Sequence, residues 1–367
     1  MYDFLIVGAG FAGCTLAERL AAGLNKKVLL VDKRNHIGGN AYDYYNKDGI
    51  LVHQYGPHIF HTNIKRVWNY LSLFTDWHYY QHRVLSHVDG LKVPFPINLD
   101  TVNMLFGQQI SVFDLIDYFN KVVHDAGVKE IKNARDMAVS RVGNELYNKF
   151  FKNYTKKQWA LLSEELAPEV TARIPLRINR DPRYFVDPYQ GVPRYGYTWM
   201  FQRMVADPNI HLLLNADYKK ILNEVKFDRM IYTGPIDYFF DYIHGRLPYR
   251  SLDFEFQTLH VEQFQEVGTI NYPNDYDFTR ITEFKHLTGQ KHPWTTIIYE
   301  YPVEGGEPFY PIPKAENKEL FNKYKSEAQK LKSIYFVGRL AEYCYYNMDL
   351  VIERALEVFD EIIKEKI

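Results

Sequence analysis

The stretch that decides the fold is FLIVGAGFAG at residues 4–13, which VLLVD follows at residues 28–32. An apolar strand runs into a glycine turn, a helical pattern follows, and a second apolar strand ends in an acid. This order and spacing are typical of the dinucleotide-binding unit. Gly8 would form the tight turn, Gly10 would let a pyrophosphate approach the helix N-terminus, and Gly13 would let the helix pack on the strand.

Two features after the glycine turn indicate which dinucleotide is bound. Asp32 is placed to accept hydrogen bonds from a ribose, and its charge would repel a 2′-phosphate. The chain then reads HIGGN at residues 36–40, where a nicotinamide enzyme would usually continue into its next helix. A second glycine pair that returns toward the first suits a longer cofactor with more phosphate contacts. The sequence therefore favours FAD over NAD.

Length, composition and charge limit the class of protein. A chain of 367 residues can form two or three domains, and 46% hydrophobic with 24% charged residues is typical of a globular protein. The net charge of −1 offers no electrostatic footprint for nucleic acid or an acidic membrane. Two distant cysteines form no disulfide framework, and no apolar run approaches the ~20 residues of a membrane helix. Since the first strand leaves no room for a signal peptide, we expect a cytoplasmic protein.

The rest of the chain divides into a helical and a strand-rich region. Residues 98–153 are helix-like, and residues 111–123 carry a helical stripe of apolar side chains. Short β-like runs with turn signals between them predict an antiparallel sheet; they are residues 252–256, 259–261, 269–272, 280–284 and 295–301. Near the end of the chain, an apolar strand at 334–337 is followed by a helix after Asn347, in the same order as the first strand and helix. We therefore expect a discontinuous first domain.

Aromatic residues and histidines raise the question of a pocket. The chain has 30 Tyr and 24 Phe, and the cluster Phe150, Phe151, Tyr154 and Trp159 could form core or line a pocket for a flat ring and a sugar; the residues alone leave both open. The three histidines of residues 52–62 lack the acidic partners of a metal site, so we expect no metal. A position beside a ring suits them better.

Several separated motifs together resemble those of the bacterial UDP-galactopyranose mutases, over essentially the whole chain. They are GAGFAG at 8–13, HIGGN at 36–40, YGPHIFHT at 55–62, YTKKQW at 154–159, RIP at 173–175, YF at 184–185, TRITE at 279–283 and GRL at 338–340.

The resemblance implies an α/β fold, with a Rossmann-like FAD-binding domain, an inserted helical bundle and an antiparallel β-sheet domain, assembled as a homodimer. The FAD-binding domain would comprise residues 1–80, 190–245 and 306–367, and the helical domain residues 98–155. The sheet and substrate domain would comprise residues 81–97, 156–189 and 246–305, with a mobile loop at about 162–178.

The activity that the resemblance implies is the interconversion of UDP-galactopyranose and UDP-galactofuranose for cell-surface polysaccharide synthesis. N5 of reduced FAD would attack the anomeric C1 and give a covalent flavin–sugar adduct, from which the ring recloses without net oxidation. Two other classes share the glycine fingerprint. One is an FAD-dependent oxidoreductase of the amine-oxidase type, and the other is a flavin-binding redox sensor without turnover.

The resemblance also implies site residues. The catalytic set is Arg173 and Arg280, which would clamp the UDP diphosphate, and His61 beside the flavin. The substrate-binding set is Phe150, Phe151, Tyr154, Thr155, Trp159, Tyr184, Asn271, Glu300, Tyr310 and Tyr345. The cofactor-binding set is Gly8, Gly10, Phe11, Ala12, Gly13, Asp32, Lys33, Gly39, Asn40, His58, Ile59, Arg339, Asn347 and Met348. Tyr154 would stack on the uracil. At Asn347 the family commonly carries Asp; we expect Asn347 to cap the following helix without the negative charge.

Overall fold

The computed structural model describes residues 1–365, which form four β-sheets and a set of helices. The strands are β1 (Tyr2–Val7), β2 (Val28–Val31), β3 (Asp43–Tyr45), β4 (Leu51–His53), β5 (Phe60–Thr62), β6 (Trp77–His78), β7 (Val84–Val88), β8 (Leu91–Phe95), β9 (Tyr189–Pro193), β10 (Ile210–Leu213), β11 (Phe227–Tyr232), β12 (Tyr249–Leu259), β13 (Thr269–Asn271), β14 (Arg280–Glu283), β15 (Thr295–Glu304), β16 (Tyr310–Pro311) and β17 (Ile334–Phe336).

The helices follow in chain order. They are α1 (Phe11–Leu24), α2 (Lys65–Leu71), α3 (Leu99–Phe106), α4 (Val112–Ala126), α5 (Ala134–Leu146), α6 (Asn153–Trp159), α7 (Glu169–Ala172), α8 (Tyr197–Met204), α9 (Tyr218–Ile221), α10 (Ile236–Phe239), α11 (Phe284–Thr288), α12 (Ala315–Ala328) and α13 (Met348–Lys364). Short 3₁₀ turns cover Gly39–Ala41 and Ser163–Glu165, and a π-helical turn covers Tyr147–Lys152.

A five-stranded parallel sheet contains the two strands of the first forty residues, β1 and β2. Its strand order is β10-β2-β1-β11-β17, and every neighbouring pair is parallel. In chain order this is third, second, first, fourth and fifth, the order of the doubly wound dinucleotide-binding fold. The glycine turn follows β1 and leads into α1, as the sequence predicts. The Rossmann-like fold is therefore confirmed, and three of its five strands, β10, β11 and β17, come from distant parts of the chain.

Helix α1 is buried on nearly all sides because it lies between this sheet and α13. Leu16 and Leu20 of α1 share one core cluster with Leu356 and Phe359 of α13 and with the residues of β1 and β2 on one face of the sheet. The C-terminal helix therefore completes the core that the N-terminal strand begins, which keeps the glycine turn fixed between two distant segments.

The second large sheet has seven strands in the order β16-β12-β15-β14-β13-β7-β8. It is antiparallel except for the parallel pair β7 and β13. Residues 252–256 and Leu259, predicted in two separate runs, fall in one strand, β12, whereas residues 260 and 261 of the second run lie beyond its end. That prediction was wrong because Gln257 and Thr258 pair with β15 like their neighbours, and the Thr258 and Thr296 hydroxyls lie 2.9 Å apart.

A helical region, α3 to α6, packs against one end of the second sheet. The predicted stripe in residues 111–123 forms α4, which begins with a reciprocal cap between Ser111 and Asp114 and buries Leu115 and Phe119. These two side chains share a core cluster with Val84 and other apolar residues of β7 and β8. No helix within residues 1–365 is long and apolar enough to cross a membrane.

Gly13 generates a test of how α1 is held on β1. A Cβ atom at Gly13 would lie 1.8 Å from the Gly8 carbonyl oxygen, whereas one at Gly10 would lie 3.6 Å from its nearest neighbour, Gly39 Cα. Because the Gly13 clash involves backbone, we expect Gly13→Ala to cost about 3 kcal/mol and to lower the midpoint of thermal unfolding by at least about 5 °C. With all proteins measured free of bound dinucleotide, because a pyrophosphate would contact Gly10, Gly10→Ala in the same turn should stay within about 1 °C of the wild type. Equal midpoints for the two variants would contradict this packing.

Candidate functional site

Two adjoining cavities lie where the two large sheets meet. The first has a volume of about 740 Å³ and the second about 240 Å³. The first falls within the ~300–1,000 Å³ that ligand pockets usually occupy. His58, Arg339 and Met348 line both cavities, so a ligand in one can approach a ligand in the other.

The two glycine loops form the floor of the first cavity, as the sequence predicts. Gly38 N–H donates to the Ala9 carbonyl at 2.7 Å, which brings the second glycine pair onto the first. A Cβ atom at Gly39 would lie 2.9 Å from Gly10 Cα, so a side chain would not fit between the loops. The first turn of α1, which begins at Phe11, presents free N–H groups to this floor.

Asp32 both shapes the glycine turn and lines the first cavity. One carboxylate oxygen accepts from the Ala9 N–H at 2.8 Å, and the other accepts from the Arg34 N–H at 2.9 Å. A carboxylate has about four acceptor positions, so these two bonds leave capacity for the hydroxyls of a ribose.

Eleven of the fourteen residues in the predicted cofactor-binding set line the first cavity. They are Gly8, Gly10, Phe11, Ala12, Asp32, Lys33, Gly39, Asn40, His58, Arg339 and Met348. Gly13 lies beneath the turn against Gly8, while Ile59 and Asn347 line the second cavity. Asn347 stands at the N-cap of α13, but its side chain makes no capping hydrogen bond. The predicted N-cap position of Asn347 is therefore confirmed, whereas the side-chain hydrogen bond expected of a cap is not formed.

The far end of the first cavity contains residues that the sequence analysis missed. Tyr218, Tyr238 and Tyr242 line it together with Arg246, whose guanidinium lies 4.0 Å from the centroid of the Tyr242 ring. The aromatic-rich run at 236–250 was the available signal. The sequence alone does not show where this run lies; in the structure, β11 and α10 place it beside the parallel sheet.

The second cavity brings together every residue of the predicted catalytic and substrate-binding sets. They are His61, Phe150, Phe151, Tyr154, Thr155, Trp159, Arg173, Tyr184, Asn271, Arg280, Glu300, Tyr310 and Tyr345. These residues come from β5, the helical region, the second sheet and the loops beside them. The sequence left open whether the cluster at 150–159 forms core or lines a pocket. Phe150, Phe151 and Trp159 do both, because they are buried and they line the cavity.

Arg280 is anchored to a buried carboxylate. Arg280 on β14 stands opposite Glu300 on β15, and its Nε donates to Glu300 Oε1 at 2.7 Å. Glu300 is 1% exposed. Burial lowers the pKa of the Arg280 guanidinium, but Glu300, with smaller effects of Tyr154 and Tyr310, leaves the pKa raised. The pair therefore fixes a permanent cation in the cavity wall.

Arg173 and Arg339 add positive charge that no carboxylate offsets. Arg173 donates to the Val170 carbonyl and to the Tyr345 hydroxyl, and its guanidinium lies 4.8 Å from the centroid of the Tyr345 ring. Arg339 donates to the carbonyls of Tyr346 and Phe309. Within residues 1–365, neither arginine lies within 4.0 Å of a carboxylate.

Tyr345 lies within the field of these arginines. Its ring lies 5.6 Å from the Arg339 guanidinium as well as beside Arg173, and the residue is 37% exposed. Partial removal from water raises the pKa of Tyr345, but Arg173 and Arg339, with Arg280, outweigh this and leave the pKa lowered. A site that favours a phenolate also favours other anions.

Part of the wall of the second cavity is aromatic. Phe95 lies 5.9 Å from Phe150 and 6.3 Å from both Phe151 and Tyr184, measured between ring centroids. Tyr154 also lines the cavity and contacts no other ring in the described part of the chain. The cavity therefore combines cationic groups with rings that suit a flat ligand.

Two histidines in the second cavity are held neutral. Burial, then His53 and the guanidinium groups of Arg339 and Arg280, lower the pKa of His58 to about 3. Burial, then Arg280 and His61, lower the pKa of His82 to about 3. His82 was missed because nothing in its local sequence distinguishes it. No group of three or more His, Cys, Asp or Glu in residues 1–365 is arranged to hold a metal ion.

Lys157 joins α6 to the loop that leads to Arg280. Its Nζ donates to the backbone carbonyls of Tyr272, Asp275, Tyr276 and Phe278, the last three at 3.1, 3.2 and 3.1 Å. Since four carbonyls of one loop converge on one ammonium group, Lys157 fixes the distance between α6 and β14.

Comparison with known proteins gives the following similarities. Residues 149–345 match the family model described as UDP-galactopyranose mutase, and residues 6–72 match that of an NAD(P)-binding Rossmann-like domain. The chain is 38% identical to a probable UDP-galactopyranose mutase of Klebsiella pneumoniae, over 98% of this chain and 94% of the relative. It is 35% identical to a dTDP-fucopyranose mutase of Escherichia coli, over 99% of each. A crystal structure of reduced UDP-galactopyranose mutase superposes with a TM-score of 0.79 at 17% identity, over 99% of this chain and 94% of that one.

The Lys157 contacts generate a prediction for stability. A hydrogen bond to a charged group contributes about 1.5–3 kcal/mol, and replacing Lys157 leaves four carbonyls without their donor. We expect Lys157→Met to lower the midpoint of thermal unfolding by at least about 4 °C. Lys156→Met, at the exposed neighbouring position, is the matched control and should stay within about 1 °C. If both variants unfold with the wild type, Lys157 does not hold the loop.

Proposed function

The chain belongs to the UDP-galactopyranose mutase family, and on this premise we propose that it interconverts UDP-galactopyranose and UDP-galactofuranose. FAD would occupy the first cavity and the sugar nucleotide the second. The observation that carries the proposal is the excess of positive charge in the second cavity, where Arg173, Arg280 and Arg339 together lower the pKa of Tyr345.

The charge distribution of the second cavity suits a nucleoside diphosphate sugar. Bidentate guanidinium groups bind phosphate oxygens well, and Arg173 brings a cation that has no carboxylate partner in residues 1–365. The uracil would stack against Tyr154, which lines the same cavity. The sugar would then lie toward His58, where the two cavities adjoin.

The first cavity fits FAD on features of the chain itself. Its floor is the paired glycine loops at the N-terminus of α1, where a pyrophosphate would bind, and Asp32 retains acceptor positions for a ribose. Bound in its reduced form, FAD would supply a nitrogen nucleophile for the anomeric carbon.

The protein's own contribution is to stabilise the departing UDP and to exclude water. Negative charge grows on the diphosphate as its bond to C1 breaks, and Arg173 and Arg280 are placed to meet it. The buried pair of Arg280 with Glu300 keeps that guanidinium in position before the ligand arrives. Buried aromatic side chains on the cavity wall limit the access of water.

The domain boundaries and the homodimer that the resemblance implies belong to the same proposal. Residues 1–80, 190–245 and 306–367 would bind FAD, residues 98–155 would form the helical domain, and the rest would bind the sugar nucleotide. Light scattering of the purified protein measures the number of subunits, and a mass of two chains supports the dimer.

Conversion of UDP-galactofuranose tests the function directly. Purified protein is incubated with UDP-galactofuranose, with and without dithionite, and the nucleotide sugars are separated chromatographically. We expect UDP-galactopyranose after reduction and none without it. A parallel incubation with dTDP-fucopyranose distinguishes the activity that the Escherichia coli relative is named for. No conversion in either state, with peroxide released in air from an amine, would instead favour the amine-oxidase class.

Removing Arg280 tests the diphosphate clamp. We expect Arg280→Ala to lower kcat/KM by at least about a hundredfold, equivalent to about 2.7 kcal/mol of transition-state stabilisation. FAD content should remain normal because Arg280 does not line the first cavity. Arg203→Ala, an exposed arginine on α8 outside both cavities, should retain wild-type kinetics. Near-wild-type kcat/KM in Arg280→Ala would remove the clamp from the proposal.

A further inference from the structure

The imidazole of His61 is held by two groups from one loop. Its Nδ1 lies 2.7 Å from Asp187 Oδ2, and its ring stacks on Phe185 with a centroid separation of 3.6 Å and an angle of 13°. Gln190 pairs with His61 across β5 and β9, and its side chain donates to the carbonyls of Phe185 and Asp187 at 3.3 and 2.7 Å. The strand beside His61 therefore also fixes the loop that orients its ring.

The contact with Asp187 decides which nitrogen of His61 carries the proton. An ionised carboxylate only accepts hydrogen bonds, so Nδ1 is the donor and Nε2 of the neutral ring keeps a lone pair. Nε2 has no hydrogen-bond partner among residues 1–365, and the ring lines the second cavity. A base whose second nitrogen is held by a carboxylate is the arrangement that general-base catalysis uses.

His82 lacks this arrangement although its ring lies 6.1 Å from the same Phe185 ring. Its Nδ1 lies 3.1 Å from the Tyr80 hydroxyl, and within residues 1–365 it has no carboxylate partner. Of these two imidazoles in the second cavity, His61 is the one with a carboxylate that stabilises a gained proton.

We propose that Asp187 is a positioning residue that makes His61 the proton carrier of the ring interconversion; this inference rests on the proposed function. When a galactopyranose becomes a galactofuranose, the bond between C1 and the ring oxygen breaks and a bond from C1 to the 4-hydroxyl oxygen forms. The 4-hydroxyl loses a proton and the former ring oxygen gains one, so no oxidant is needed. Nε2 of His61 takes the first proton and returns it to the ring oxygen, while Asp187 stabilises the imidazolium in between.

The test compares Asp187→Ala with Asp187→Glu and with a matched control, Asp275→Ala. Asp275 contacts Nδ1 of His87 at 2.8 Å, a pair of the same kind in which neither residue lines either of the two cavities described above. Long-range ¹H–¹⁵N spectra of the flavin-loaded protein show which nitrogen of His61 carries the proton. Steady-state kinetics of the reduced protein with UDP-galactofuranose give kcat and KM separately.

In Asp187→Ala we expect the His61 proton to move from Nδ1 toward Nε2 and kcat to fall by at least about a hundredfold, with KM within about threefold. Asp187→Glu should recover part of kcat, and it also serves if the alanine variant does not fold. Asp275→Ala should change neither the His61 spectrum nor kcat.

A wild-type kcat in Asp187→Ala, or a loss of kcat with the His61 proton still on Nδ1, overturns the inference. An active wild-type protein with an equally active variant refutes this inference alone. A wild-type protein that converts no nucleotide sugar refutes the proposed function first, and this inference with it.

Discussion

The interaction on which the second cavity depends is the placement of guanidinium groups whose charge the protein neutralises only in part. Arg280 is paired with the buried Glu300, whereas Arg173 and Arg339 bond to carbonyl and hydroxyl oxygens and lie within 4.0 Å of no carboxylate in residues 1–365. Removing unpaired charge from water costs free energy. An anionic ligand offsets part of that cost, and the guanidinium groups are already in position for a diphosphate before one binds. The same guanidinium groups lower the pKa of Tyr345 against the effect of its burial.

The two large sheets bring this cationic region next to a dinucleotide-type cavity. The parallel sheet ends at paired glycine loops, and the seven-stranded sheet carries Arg280 and Glu300 on neighbouring strands. His58 lies where the cavities adjoin, and burial lowers its pKa to about 3, so it adds no charge there. Arg339, which lines both cavities, therefore supplies the positive charge where a flavin and a sugar would meet, and the neutral His58 adds none. This arrangement suits a reaction in which a phosphate leaves and the ring is rebuilt without net oxidation.

The sequence predicted the first sheet well because all of its signals are local. The strand, glycine turn, helix and acid occur within forty residues, and Gly13 packs against Gly8 as its spacing predicts. The second cavity could be predicted only through the resemblance, since its lining residues are scattered from Tyr55 to Met348. The sequence analysis missed the roles of His82, Asp187 and Lys157 and the aromatic residues of the first cavity, because those roles depend on contacts between residues that are distant in sequence. The capping hydrogen bond expected of the Asn347 side chain is not formed, because it depends on a side-chain rotamer, which residue type does not determine.

The central claim is that the two cavities hold FAD and a nucleoside diphosphate side by side, with the diphosphate between Arg173 and Arg280. A crystal structure of the protein with FAD and UDP measures this most directly. The account predicts a FAD pyrophosphate on the glycine loops, a uracil against Tyr154 and UDP phosphate oxygens within hydrogen-bonding distance of both arginines. Ordered UDP whose phosphates contact neither arginine, or FAD bound away from the glycine loops, would contradict it.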